Sequence, residues 1–189
     1  RFEFFAKESA KIAVVQAYQE IASKGEFAGG VCKVDSGYID FCSLAPDINE
    51  KFSQAIGDNI NELVSSYDSP EFSKIRYKPI IKENKINLDA EPVKLTGSSE
   101  GTFAYSFVSV FSPSFEISLN ELNLNSFQEI HAKKDECKLK ENPEACMNEL
   151  SGFKTEIKQS ESMAYFDLTS KKTYFFQGEL RNILVKFRI

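Results

Sequence analysis

The spacing of the cysteines constrains this chain more than any other feature. Its four cysteines lie in two close pairs, Cys32 with Cys42 and Cys137 with Cys146. Four cysteines permit three connectivities, and local pairing is favoured because both pairs lie next to turn-forming residues. We therefore predict the disulfides Cys32–Cys42 and Cys137–Cys146, each stabilising the fold by roughly 2.5–3 kcal/mol in the chain-entropy model. Free structural thiols are the main alternative, and a zinc site is disfavoured because paired zinc ligands are typically only about two to four residues apart.

The first cysteine pair frames a predicted hairpin. Gly37 lies midway between Cys32 and Cys42. A three-residue turn centred on Gly37 would place the cysteines opposite each other, whereas a two-residue turn would offset them, and the sequence leaves both registers open. The second pair flanks Asn142-Pro143, a typical start of a helix. Because disulfides persist in oxidising compartments, we expect an extracytoplasmic protein, either secreted or membrane-anchored at the cell surface.

Hydrophobic periodicity predicts the elements between the cysteines. An apolar stripe at helical spacing runs along the N-terminal segment, at Ala6, Ala10, Ala13, Val14, Ala17 and Ile21, and later segments alternate as strands do. The predicted segments are a helix over 1–24, a disulfide hairpin over 25–44, a helix over 45–69, and mostly sheet over 70–189 with a helical insertion near 120–150. Together they predict one α+β domain over 1–189, with N-terminal helices packed on a mainly antiparallel β-sheet.

Two details of the predicted sheet can be checked directly. Residues 103–111 alternate with apolar side chains on both faces, which predicts a central strand. Ser170-Lys171-Lys172 predicts a turn that leads into Tyr174.

The charge balance argues against a nucleic-acid partner. The formal net charge is −5, whereas nucleic-acid binders normally carry a basic face. One lysine-rich segment, with Lys133, Lys134, Lys138 and Lys140, is diluted by acidic neighbours, and we interpret it as a solvated face. No run of roughly 18 to 20 apolar residues occurs within the chain. We therefore expect a membrane link only through a segment upstream of Arg1.

The sequence contains no catalytic, cofactor or metal signature that we can identify, so we predict that the protein is not an enzyme. Its one histidine, His131, lies in a polar stretch and is interpreted as a surface residue. Residues 97–101 contain two glycines but lead into a strand, so they predict a turn rather than a phosphate loop. Asp58 and Glu62 lie four apart on a predicted helix, where a solvated acidic face is favoured over a calcium site.

Three tyrosines on the predicted strands form the only candidate binding surface. Tyr105, Tyr165 and Tyr174 could contact a sugar or a protein. The alternative is that these rings are buried aromatic residues of the sheet.

The order of parts resembles small archaeal surface ectodomains that are tethered by an N-terminal, pilin-like helix. The residues that carry the resemblance are the helix Phe5-Ala6-Lys7-Glu8-Ser9-Ala10-Lys11-Ile12, the Gly29-Gly30 hairpin and the closing block Tyr165-Phe166-Asp167-Leu168-Thr169-Ser170-Lys171. The resemblance implies an outward-facing, membrane-linked protein without catalytic residues.

Three functions follow as hypotheses. The leading one is a non-enzymatic extracellular surface, adhesion or pilus-like interaction domain with a protein or cell-surface partner. The second is a domain that binds a small molecule or glycan in a pocket lined by tyrosine and convergent polar groups. The third is a hydrolase with two carboxyl groups about 5–9.5 Å apart in a cleft.

Overall fold

A computed structural model of the chain describes residues 1–29, 34–35, 37–82, 85–99, 103–110, 114–116, 124–160, 163–176 and 179–188. The helices in this part of the chain are α1 (Phe2–Lys24), α2 (Ile48–Ser65), α3 (Leu124–Cys137) and α4 (Pro143–Met147). The strands are β1 (Ala28–Gly29), β2 (Val34–Asp35), β3 (Tyr38–Asp40), β4 (Ser43–Leu44), β5 (Tyr77–Lys82), β6 (Lys85–Ala90), β7 (Val93–Ser99), β8 (Phe103–Ser109), β9 (Ser114–Glu116), β10 (Phe153–Ser160), β11 (Met163–Phe176) and β12 (Glu179–Arg188).

The predicted α+β fold is confirmed. The largest sheet has the strand order β10-β11-β12-β3-β2, and its pairs are antiparallel except for β12 with β3, which run parallel. The smaller sheets are β5-β6-β9, β7-β8 and β1-β4, and all of their described pairs are antiparallel. The predicted helical insertion near 120–150 corresponds to α3 and α4.

The chain divides into two compact units. Unit 1 comprises Arg1–Val14 and Ser53–Ile117, and unit 2 comprises Val15–Phe52 and Ser118–Ile189. The boundaries fall inside α1 and α2, so each long helix contributes residues to both units. Folding of 1–189 as one domain stays a prediction.

The N-terminal helix follows from its alanine-rich stripe. The predicted core residues of α1 are all buried: Ala6, Ala10, Ala13, Val14, Ala17 and Ile21. The helix ends at Gly25, whose φ of +71° suits glycine. The Glu26 amide then donates to the Ile21 carbonyl oxygen (3.1 Å), which is the closing bond of a Schellman motif. A Cβ at position 25 would also clash with the Ile39 side chain. Substitution of Gly25 is therefore disfavoured both by its positive φ and by this clash.

The second helix begins later than predicted. It starts at Ile48 rather than at residue 45, and the segment 45–47 forms the turn before it. Its buried side chains recur every four residues, at Ile48, Phe52, Ile56, Ile60 and Val64. A four-residue repeat on one face is what a helix needs to bury an apolar stripe.

The prediction that residues 103–111 form a central strand is not confirmed in the described residues, and residue 111 lies outside them. Among the described strands, β8 pairs only with β7 in a two-stranded sheet. Val108 and Val110 are exposed, and each keeps more than half of its surface accessible. Apolar side chains on both faces of a strand therefore do not establish that two neighbours flank it.

The predicted turn at Ser170-Lys171-Lys172 is wrong, because the segment is a bulge inside the continuous strand β11. Thr169 pairs with Leu184 and Thr173 pairs with Asn182, so β11 contains two residues more than β12 between these points. An even number of extra residues preserves the alternation of faces on both sides of the bulge.

One predicted disulfide is seen and the other lies partly outside the described residues. Cys137 and Cys146 form a disulfide with Cα atoms 5.5 Å apart, joining the end of α3 to α4. Cys32 lies outside the described residues, so the Cys32–Cys42 disulfide stays a prediction. In the hairpin of β2 and β3, Asp35 pairs with Tyr38. That register belongs to a two-residue turn, the alternative that offsets the two cysteines.

The core of unit 2 contains a continuous series of aromatic rings. The rings follow one another in the order Tyr18, Phe127, Phe27, Phe41, Phe187 and Phe166, with centroids 4.6–5.5 Å apart. All six side chains are buried. Tyr18 lies on α1 and Phe127 on α3, whereas Phe27 and Phe41 lie in the segments that flank β1 and β3. Phe187 and Phe166 lie on the neighbouring strands β12 and β11. The series therefore joins these helices and segments to the large sheet.

Removal of the hydroxyl groups of two buried tyrosines should change the free energy of unfolding in opposite directions. The Tyr77 hydroxyl is buried and has no hydrogen-bond partner in the described part of unit 1, whereas Tyr18 shares a hydrogen bond with Ser126. An unpaired buried polar group destabilises the fold, and a paired one stabilises it. We expect Tyr77→Phe to raise the free energy of unfolding by about 1 kcal/mol and Tyr18→Phe to lower it by about 1 kcal/mol, measured by urea denaturation at pH 8.

The same tyrosines should make the fold sensitive to alkali. Burial raises the pKa of Tyr77 from 10 to about 12, with a smaller contribution from Glu3, and burial also raises the pKa of Tyr18. The folded state therefore holds these protons more tightly, so the stability present below pH 10 declines as the pH rises from 10 to 12. Tyr77→Phe should reduce this decline without abolishing it. An unchanged decline in that variant would contradict the assignment.

Candidate functional site

The structure does not bring the three predicted tyrosines together on one strand face. Tyr105 lies on β8 of unit 1, while Tyr165 and Tyr174 both lie on β11 of unit 2. Tyr165 pairs with Arg188 and Tyr174 with Arg181 across β12. Positions 188 and 181 differ by an odd number along β12, so the two tyrosines point to opposite faces of the sheet.

Tyr174 lines a cavity of about 210 Å³ in unit 2. The face that it shares with Arg181 is the face on which Phe166 and Phe187 are buried, because the bulge preserves the alternation. The cavity is lined by Val15, Gln19, Tyr174, Arg181, Asn182 and Ile183. Since Asn182 follows Arg181 directly along β12, its side chain lies on the opposite face, and the side chains of the lining comprise one aromatic ring, two aliphatic groups, one carboxamide and one guanidinium group.

The positive charge of Arg181 in the cavity lining is neutralised by a neighbouring carboxylate. Arg181 donates from Nη2 and Nε to one carboxylate oxygen of Glu179, at 2.7 and 3.0 Å. Both side chains are more than half exposed, so the pair itself contributes little to stability. Its consequence is electrostatic, because a carboxylate beside the guanidinium cancels the positive charge that would otherwise attract an anion.

Asn182 is held in place by the bulge. Its Nδ2 donates to the carbonyl oxygens of Ser170 (2.7 Å) and Lys172 (3.3 Å). The Ser170 hydroxyl donates to the Lys172 carbonyl oxygen at 2.7 Å and accepts from the Ile183 amide at 2.8 Å. These bonds fix the side chain of Asn182 against β11, on the face opposite to Tyr174.

Tyr165 belongs to a different cluster on the opposite face of the sheet. Its ring contacts the Tyr38 ring edge-to-face, with centroids 5.0 Å apart. Lys186 Nζ lies 5.3 Å from the centroid of the Tyr38 ring. Asp167 lies 3.4 Å from Lys158 and 3.8 Å from Lys186. Burial raises the pKa of Tyr38, and its hydrogen bond to Asp167 raises it further. These groups are mutually paired, so the cluster is a cross-strand network that holds β3 against the sheet.

A second pair holds β3 to β12. Arg188 donates from Nε and Nη2 to the two carboxylate oxygens of Asp40, with Nη2 3.3 Å from Oδ2. The Arg188 side chain is buried, whereas that of Asp40 is about one-third exposed, at 32%. In the described residues β12 and β3 pair at two positions, and this ion pair supplements that ladder.

The interpretation of Lys134 as a solvated residue is wrong. Its side chain is only 4% exposed, with Nζ 2.5 Å from Asp135 Oδ1 and 5.7 Å from the centre of the Phe41 ring. The interpretation of His131 as a surface residue also needs correction. The imidazole is half-buried, contacts Phe41, and places Nε2 3.3 Å from the Cys42 carbonyl oxygen.

The remaining sequence candidates are exposed or form ordinary secondary structure. Asp58 and Glu62 are both exposed on α2. Of the predicted turn at 97–101, residues 97–99 belong to β7, and residues 100–101 lie outside the described residues. Within the described ranges, no group of three or more histidine, cysteine, aspartate or glutamate side chains has the arrangement of a metal site. In the same ranges, no helix is long and apolar enough to span a membrane.

Sequence reasoning missed Gln19, Arg181 and Asn182, three of the polar residues that line the cavity. Gln19 lies on α1 between two buried residues, Tyr18 and Ile21, and the helical stripe gives no reason to single it out. Arg181 and Asn182 precede the apolar alternation of β12 and meet Tyr174 only because of the two extra residues in β11. No local pattern encodes that bulge.

Comparison with known protein families, curated proteins and solved structures found no match to this chain.

Proposed function

We propose that the chain is a non-enzymatic, extracytoplasmic interaction domain that binds a small neutral polar molecule in the cavity beside Tyr174. The observation that carries the proposal is the lining of that cavity. It presents an aromatic ring and aliphatic side chains together with one carboxamide and one guanidinium group, a mixture of apolar and polar groups that is typical of small-molecule sites. Neutralisation of Arg181 by Glu179 favours an uncharged ligand over an anion.

The size of the cavity limits the ligand and its affinity. A volume of about 210 Å³ is smaller than the roughly 300–1,000 Å³ of pockets for drug-sized ligands. The ligand, or the part of it that enters, is therefore a single small ring or a molecule of similar size. A ligand of this size is expected to bind with a Kd of about 1 mM, which corresponds to about −4 kcal/mol.

Removal of the Tyr174 ring should weaken binding. We expect at least one of four neutral probes to bind the wild-type chain at millimolar concentration in saturation-transfer NMR. The probes are methyl β-D-glucopyranoside, methyl β-D-galactopyranoside, adenosine and glycerol. Tyr174→Ala should weaken that binding at least tenfold, because it removes the aromatic wall. Tyr165→Ala is the matched control on the same strand and should leave binding unchanged. Acetate and inorganic phosphate should not bind.

Two results would contradict the proposal. One is that no neutral probe binds the wild-type chain at 20 mM, a concentration about twenty times the expected Kd. The other is that Tyr174→Ala and Tyr165→Ala bind alike. Circular dichroism of each variant separates loss of binding from loss of fold.

The extracytoplasmic location is supported by the Cys137–Cys146 disulfide, since disulfides persist in oxidising compartments. Peptide mapping of the protein from its native source without reduction should find Cys137 linked to Cys146 and Cys32 linked to Cys42. Four free thiols in that material would contradict both the location and the predicted first disulfide.

A further inference from the structure

We infer that the ligand of the cavity is a pyranose ring of a saccharide, an inference that rests on the proposed function of the same cavity. The three kinds of side chain in the lining each match a different part of such a ring. The match concerns shape, hydrogen bonding and charge.

The apolar part of the lining matches the carbon face of a sugar. A pyranose presents axial C–H groups on its faces and hydroxyl groups around its edge. Tyr174 supplies a flat ring, whose negative π face attracts polarised C–H groups much as it attracts cations. Val15 and Ile183 supply further apolar surface in the same cavity.

The polar part of the lining matches the hydroxyl edge. Gln19 and Arg181 carry planar groups, and planar groups can engage two adjacent hydroxyls at once. Carboxamide and guanidinium groups together provide donors and acceptors, which a hydroxyl needs because it both donates and accepts.

The charge of the lining disfavours the other common ring-shaped ligands. A nucleotide carries phosphate charge, and its recognition normally involves a net positive site or a helix N-terminus. Here the single guanidinium is paired with Glu179. A nucleoside has no such charge but is larger than a monosaccharide, and the cavity of about 210 Å³ lies below the usual range for drug-sized ligands.

The test compares three classes of probe on the whole chain by saturation-transfer NMR with aromatic irradiation. The probes are methyl β-D-glucopyranoside and methyl β-D-galactopyranoside, adenosine and uridine, and glycerol. We expect one or both pyranosides to bind, with the strongest saturation on the ring protons of one face. Tyr174→Phe should keep binding within threefold because the ring remains, and Gln19→Leu should weaken it about tenfold because hydroxyl partners are lost. Tyr165→Ala should not change it.

The outcomes separate the inference from the proposed function. Binding of a nucleoside or glycerol that depends on Tyr174, without binding of either pyranoside, would overturn the saccharide inference and leave the proposed function standing. Pyranoside binding without a preferred face, or unaffected by Gln19→Leu, would also overturn the inference. Absence of binding by every probe would overturn both.

Discussion

Phe127→Ala is expected to lower the free energy of unfolding by about 3–5 kcal/mol, the range for truncating a fully buried aromatic side chain. The Phe127 ring lies between two others, parallel to within 13° with Tyr18 at 4.6 Å and to within 5° with Phe27 at 4.9 Å. Truncation would therefore leave a cavity with aromatic walls on two sides and remove two stacking contacts. A domain is typically stable by only about 5–15 kcal/mol, so this loss is large.

Urea denaturation followed by circular dichroism measures this effect. Phe4→Ala is the matched control, because Phe4 is 71% exposed on α1 and an exposed substitution should change the free energy of unfolding by less than about 0.5 kcal/mol. A loss below about 1 kcal/mol for Phe127→Ala would show that the aromatic series does not hold the core of unit 2.

Asp40→Ala is expected to lower the free energy of unfolding by about 3 kcal/mol. The substitution removes the carboxylate that faces the buried Arg188 guanidinium, and the removal of one partner from a buried ion pair is costly. The value lies at the lower end of the range for buried pairs because water reaches part of Asp40. The predicted loss should change little between 0.05 and 0.5 M salt, since burial limits screening.

Glu8→Ala provides the control for an equally close but exposed pair. Glu8 Oε1 lies 2.6 Å from Lys11 Nζ, and both side chains are about half exposed. Exposed pairs contribute about 0.2–1 kcal/mol, and pairs within one helix about 0.3–0.5 kcal/mol. If Asp40→Ala and Glu8→Ala had the same small effect, β3 would not depend on its ion pair with β12.

The sequence predicts this fold best where one local period determines the element. The alanine stripe of α1 gave both the helix and its buried face, and Gly25 gave its end. The same period could have identified Lys134, because it shares a face of α3 with Phe127, Ile130 and Cys137, all of them buried. Its charge suggested solvent, but a long aliphatic side chain can cross apolar surface to reach a carboxylate such as that of Asp135.

Features that depend on pairing between distant strands could not be predicted. The apolar faces of β8 do not reveal how many neighbours it has. The bulge in β11 depends on bonds from Asn182 and Ser170, which are twelve positions apart. For the same reason, Tyr174 was identified from the sequence by its residue type alone. No local pattern identified Gln19 and Arg181, which line the same cavity.

The most direct test of the ligand site is an amide chemical-shift titration of the isotopically labelled chain with the neutral probes. We expect one or more of them to shift the backbone amides of Arg181, Asn182 and Ile183 and the side-chain amide of Gln19. Shifts confined to the opposite face of the sheet, around Tyr38 and Tyr165, or no shifts with any probe, would contradict it.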